Sequence, residues 1–206
     1  RTTNDGIHTD WEAGDAINLF HAPASTTGYV NDNSFTIAEE GLAEGRFKGT
    51  LTSGLESGKS YDWYAFYPYN SHTQAPTNND EDSSKNGFNF IGHSKGLNQY
   101  GYDNMSSLCG TVCPLYGIAE NVASDKMPQV TMQHLSSVIA LKVTNTIDAP
   151  LVIETASFTA PEDIIGSYYI SFAGEPAYTP RGEANVKNTA VVNVSNGTEL
   201  AKNQSA

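Results

Sequence analysis

Apolar and polar positions alternate with period two in short runs along this chain, and no window of a dozen residues carries a 3.6-residue apolar stripe. The pattern therefore predicts strands. It is clearest over Ser137 to Val143, where Ile139, Leu141 and Val143 share one face, and over Leu151 to Phe158. The turn-rich run from Asn145 to Pro150 joins these two, so they are expected to pair as a hairpin. A further strand is predicted over Ile164 to Phe172, with Tyr168, Ile170 and Phe172 on one side. Earlier ones fall at Ala16 to Phe20, Phe35 to Ala38, Arg46 to Leu51, Tyr61 to Tyr67, Leu115 to Ile118 and Gln129 to Met132. Many short strands with short turns predict an all-β fold, an antiparallel Greek-key β-sandwich.

Two stretches interrupt the alternation. Asn70 to Gly110 is rich in Asn, Ser, Asp and Gly with scattered aromatics, and is expected to be a long elaborated loop. Gly174 to Asn188, where Gly, Pro and charged residues replace the pattern, reads as a linker before a last strand at Thr189 to Val194. The expected organisation is a β-sandwich domain over residues 1–175. Residues 176–206 then form a linker and either the start of an incomplete second sandwich or a strand that returns to the first.

Composition narrows the function classes. Eleven Lys and Arg against 23 Asp and Glu give a net charge of −12 in 206 residues, which disfavours nucleic acid and anionic lipid as partners. Leu, Ile, Val and Phe make up about one-fifth of the chain, near the lower limit for a packed core, and eleven Tyr with two Trp restore the balance toward an ordered fold. No stretch has the ~18 consecutive apolar residues of a membrane-spanning helix, and a start at Arg1 leads to the expectation of a mature or trimmed form. Cys109 and Cys113, four apart in C-G-T-V-C, are too few for a disulfide framework and lack the spacing of a redox C-x-x-C, and two further zinc ligands are missing nearby.

Four patterns bear on chemistry. Gly92-His93-Ser94-Lys95-Gly96 is a literal G-x-S-x-G, followed by Asp103 or Asp125 and then His134 in the order of α/β-hydrolases. A nucleophile elbow needs a buried strand before the serine and a helix after it, and Leu97 to Asn104 is a poor helix former in a chain without alternating β and α elements. Asp82 to Gly87 places oxygen ligands at loop positions one, three and five with Gly at six, yet position twelve is His93 rather than the bidentate Glu of a calcium loop. The five His residues, His8, His21, His72, His93 and His134, are nowhere paired at metal-ligand spacing. Finally, Tyr61-Asp62-Trp63-Tyr64-Ala65-Phe66-Tyr67-Pro68-Tyr69 offers flat aromatic faces to a sugar ring, but aromatics on both faces of one strand are expected of a central strand covered on both sides. No catalytic, cofactor-binding or metal-binding residue emerges from these patterns.

Three segments carry a resemblance. Trp11 to Phe20 (W-x-x-G-D-x-I-x-L-F), Tyr61 to Tyr69 ending Y-A-F-Y-P-Y, and Pro128 to Val143 resemble, in order and spacing, the fimbrillin-like proteins of Bacteroidales surface pili, over residues 11 to about 172. That resemblance implies transthyretin-like β-sandwiches, a precursor anchored to the outer membrane through lipid, and display at the cell surface as a fimbrial stalk, tip or anchor subunit. It implies other pilin subunits and a host or bacterial surface protein or glycan as partners, no enzyme activity and no cofactor. Assembly in the family resembles donor-strand complementation, in which an extended segment of one subunit completes an open sheet in the next. A surface glycan-binding module is the alternative reading. The motif residues also have physical roles of their own: Trp11 as a buried anchor, Gly14-Asp15 as a turn, and Pro68 as the end of the aromatic strand.

Overall fold

A computed structural model describes residues 2–3, 6–7, 10–26, 30–39, 44–69, 87–91, 97–100, 114–135, 139–171, 177–180, 186–197 and 199–206. The described residues hold strands and no helix, so the protein is all-β. In chain order the strands begin with β1 (Thr2–Thr3), β2 (Gly6–Ile7), β3 (Ala16–Pro23), β4 (Val30–Ile37) and β5 (Phe47–Lys48). They continue with β6 (Ser60–Tyr67), β7 (Gly87–Ile91), β8 (Leu97–Tyr100), β9 (Leu115–Ala123) and β10 (Gln133–His134). The last are β11 (Thr155–Thr159), β12 (Ile165–Ser171), β13 (Ala177–Pro180), β14 (Val186–Lys187) and β15 (Thr189–Ser195).

A six-stranded antiparallel sheet in the order β10-β9-β6-β3-β4-β5 dominates the structure. Strands β3, β4 and β5 are sequential neighbours and β6 returns to lie beside β3, which is the strand order of a Greek key. Strand β6 is central, and its burial explains its composition. Tyr61, Trp63, Ala65 and Tyr67 pack with Ile17, Leu19 and Leu115 on one face, while Phe66 is buried on the other together with Asn18, Phe20 and Ala22 of β3. Both faces of the sheet are therefore covered, consistent with a sandwich-like fold. The strand ends at Tyr67, whose peptide bond to Pro68 is cis.

Trp11, Phe35, Phe47, Leu51, Leu55, Val130 and Met132 close the first face. Gln129 to Met132, expected as a strand, is not one. A Cβ built on Gly117 of β9 would stand 2.2 Å from Val130 Cγ1 and 2.8 Å from the Thr131 carbonyl oxygen. The segment thus crosses over the sheet at a glycine, and its apolar side chains enter the core from a loop. Arg46 to Leu51 likewise contributes only the two residues of β5 as strand, at the sheet edge.

The remaining strands form smaller ladders. Strand β12 pairs antiparallel with β7, β13 and β14, and β15 pairs antiparallel with β11 and parallel with β8. Strands β7 and β8 lie within the expected loop Asn70 to Gly110, and β13 and β14 within the expected linker Gly174 to Asn188. The expected hairpin of Ser137 to Val143 with Leu151 to Phe158 is not formed. Residues 139–142 lie outside every ladder, Thr155–Thr159 pairs with Thr189–Ser195, and Val143 to Leu151 is bridged instead to the last residues of the chain, at Thr144↔Ser205 and Leu151↔Leu200. Alternation fixes which side chains share a face, and here a distant segment supplies the hydrogen bonds that the adjacent run was expected to make.

Candidate functional site

The W-x-x-G-D segment forms the turn that its sequence predicts. Asp15 N–H donates to the Glu12 carbonyl at 3.0 Å, Gly14 takes φ of +90° at the position that demands it, and Asp15 Oδ2 accepts from Glu12 N–H at 2.8 Å. Tyr67 donates its hydroxyl to Asp15 Oδ1 at 2.9 Å. Trp11 meets Tyr67 edge-on at 5.3 Å between centroids and Phe47 at 4.9 Å. These residues are structural: they lock the start of β3 against the end of β6.

A polar cluster lies at the other end of β3. His21 and Asp32 are almost fully buried, at 2% and 1% exposure, and His21 Nδ1 is hydrogen-bonded to Asp32 Oδ2. A carboxylate only accepts, so Nδ1 carries a proton, and in the neutral imidazole Nε2 then presents a lone pair. That nitrogen lies 3.3 Å from the Ser53 hydroxyl, on an exposed bend after β5. The second oxygen of Asp32, Oδ1, accepts from Thr52 N–H at 2.7 Å. One carboxylate thereby orients the imidazole and anchors the backbone of the residue preceding Ser53. Around the imidazole, Trp63 lies at 5.1 Å between ring centroids and Tyr61 at 5.6 Å, and the Trp63 Nε1–H has no hydrogen-bond partner among the described residues.

Sequence reading missed this cluster because a bulge creates it. At one end of the β3–β4 ladder Ile17 faces Phe35, and regular pairing from there would place Asp32 on the face opposite His21. The register shifts between Asn18 and Phe20, so that His21 faces Val30 and Asp32 joins His21 on one face. The signal available was a histidine inside the apolar run Ile17 to Ala22 with an acid on the next strand.

A third feature is a concentration of exposed apolar side chains. Ile139, Leu141, Val143, Ile147, Val152, Phe158 and Ile164 are all exposed, and outside this stretch only Tyr69 and Met127 are large exposed hydrophobics among the described residues. Ile139 and Leu141 are 53% and 59% exposed. Immediately after them, Val143 exchanges backbone hydrogen bonds of 2.9 Å with Ala206, and Leu151 exchanges bonds of 3.1 and 2.8 Å with Leu200. Asn145, 1% exposed, binds this pairing together: its Nδ2 donates to the Leu200 carbonyl at 2.7 Å and to the Ala149 carbonyl at 2.9 Å, and its Oδ1 accepts from Ile147 N–H at 3.0 Å.

Compared with known protein families, curated proteins and solved structures, the chain matches none.

The residues singled out from sequence do not converge. Ser94, Asp103, the Asp82 to Asn86 loop, Cys109 and Cys113 lie outside the described residues. Asp125 sits in an exposed turn beside Lys126, and His134 pairs through its backbone with Leu115. No group of three metal-ligating side chains occurs among the described residues. Tyr61, Trp63, Phe66 and Tyr67 are buried, Tyr64 is half-buried, and Tyr69 alone of the aromatics in this run is exposed, so the run presents no flat platform to a glycan.

Proposed function

We propose that this chain is a fimbrial or adhesin-type surface subunit that acts through its surfaces and assembles with other subunits by strand complementation. The observation that carries the reading is the exposed apolar pair Ile139 and Leu141, on residues 139–142 that lie outside any ladder, immediately before Val143, whose backbone already pairs with Ala206 of the sequence-distant segment Leu200 to Ala206. Alternating apolar residues with free backbone groups are what an incoming strand needs: its amides complete a ladder and the apolar side chains become covered. Covering the two half-exposed aliphatic side chains contributes roughly 2 kcal/mol. The localisation of exposed apolar residues to Ile139–Ile164 further supports an interaction surface there. Other copies or other pilins are the partners in this reading. A lipid anchor on the precursor holds the assembly to the outer membrane, and a host or bacterial surface ligand is bound at exposed loops.

The test replaces Ile139 and Leu141 by Asp in the full-length precursor, expressed in a native-type host. Both side chains are exposed in the subunit, so the variant keeps the wild-type melting temperature and fails to form surface polymers. Polymers at the wild-type level would refute the reading.

A further inference from the structure

The cluster at the end of β3 supports a chemical activity that assembly does not use. We propose that Ser53 is an activated nucleophile, with His21 as its general base and Asp32 as the group that orients the base, acting on small carboxylic esters and related acyl or phosphonyl electrophiles at the protein surface.

The geometry has the parts in the right relation. The Ser53 hydroxyl is 3.3 Å from His21 Nε2, the distal nitrogen Nδ1 is held by Asp32, and this is the nucleophile, base and orienter arrangement that recurs on unrelated folds. In the neutral imidazole the tautomer that Asp32 selects is the productive one, because the carboxylate accepts from Nδ1–H and leaves Nε2 to take the serine proton. The bond from Thr52 N–H to Asp32 Oδ1, at 2.7 Å, fixes the nucleophile's loop to the same carboxylate, so the spacing of serine and imidazole rests on a buried anchor. Burial of the pair and exposure of the serine complete the picture: the base is shielded in the core, and the hydroxyl meets solvent where a substrate arrives. Gly54, next in sequence, has open space where a side chain would stand, with nothing within 4 Å of a built Cβ. An acyl group therefore has room beside Ser53, and the backbone N–H groups of Ser53 and Gly54 are the nearest donors in sequence for a developing oxyanion.

The chemistry balances with water as the only co-reactant. Ser53 Oγ forms a bond to the acyl carbon while its proton passes to His21 Nε2. The C–O bond to the leaving alcohol breaks, the alcohol departs with that proton, and an acyl ester remains on Ser53. Water then gives a proton to Nε2 and its oxygen to the acyl carbon, and the serine leaves with the proton returned from His21. With a fluorophosphonate probe the first half occurs alone: an O–P bond forms, the P–F bond breaks, and fluoride is released.

The experiment treats the folded chain with a fluorophosphonate and maps the modified residue by peptide mass spectrometry. The expected result is modification at Ser53 in preference to the other serines, none at that position in Ser53→Ala, and a rate at least about 10²-fold lower in Asp32→Asn, where the amide no longer holds the productive tautomer. Absence of label on Ser53 in the wild-type protein overturns the proposal by itself, whether or not Asp32→Asn folds. Labelling of a folded Asp32→Asn at the wild-type rate overturns it as well. The assembly reading neither needs this activity nor fails with it, since polymer formation by Ser53→Ala is read separately.

Discussion

The hydroxyl of Tyr67 donates to Asp15 Oδ1 at 2.9 Å across 52 residues of sequence, and the same tyrosine ring stands in a T-shaped contact with Trp11. The two contacts tie the W-x-x-G-D turn to the end of the central aromatic strand, and they divide into a small polar part and a large apolar one. Tyr67→Phe removes only the hydrogen bond and is expected to cost about 1 kcal/mol. Trp11→Ala also removes the packing against Phe47 and Tyr67 and is expected to cost about 3 kcal/mol. Urea unfolding of both variants checks this, and equal losses would contradict it.

Gly117 is the point at which the Val130 to Met132 segment crosses the sheet. Gly117→Ala would push a methyl group to 2.2 Å from Val130 Cγ1 and 2.8 Å from a backbone oxygen, and backbone cannot rotate away, so the expected cost is about 1–3 kcal/mol. Gly54 faces open space and its φ lies outside the left-handed region. Gly54→Ala is accordingly expected to be neutral or to add about 0.5 kcal/mol by restricting the unfolded chain. Thermal melts of the pair measure the contrast.

Asn145 holds the last residues of the chain through its buried amide. Replacement by Ala leaves the Leu200 and Ala149 carbonyls without this donor and Ile147 N–H without its acceptor, at an expected cost of about 1–3 kcal/mol. The loss is local, so amide exchange at Leu151 and Leu200 is predicted to accelerate while that in β3 and β6 is unchanged. Uniform acceleration throughout would contradict the assignment.

Asp32 and Ser53 differ in what they contribute to stability. Asp32→Ala strands His21 Nδ1–H in a buried site and removes the carboxylate that accepts from Thr52 N–H, and is expected to cost about 3 kcal/mol. Ser53→Ala changes an exposed side chain and is expected to stay within about 0.5 kcal/mol of wild type. Denaturant midpoints for both decide it.

Where local pattern and long-range pairing agree, the fold was legible in the chain. Aromatics on both faces marked β6 as a central strand, and Gly14-Asp15 marked the turn, because each is dictated by nearest neighbours. Three features were not legible for one shared reason. The bulge that turns Asp32 toward His21, the pairing of Thr155–Thr159 with Thr189–Ser195, and the crossing of Val130 to Met132 over Gly117 all depend on what a distant segment brings alongside. Alternation names a face, and only the partner strand sets the register. The candidate nucleophile was hidden by the same bulge, while the G-x-S-x-G at Ser94 drew attention to a different serine. Conversely, Ile139, Leu141 and Val143 were recognised as strand-forming, and the structure leaves them exposed.

The most direct measurement is amide hydrogen exchange at Ile139 to Lys142, compared between the free subunit and its assembled polymer. The account predicts rapid exchange in the subunit, where these residues lie outside every ladder, and strong protection in the polymer as an incoming strand pairs with them. Exchange that stays equally fast in both states would contradict strand pairing at this surface.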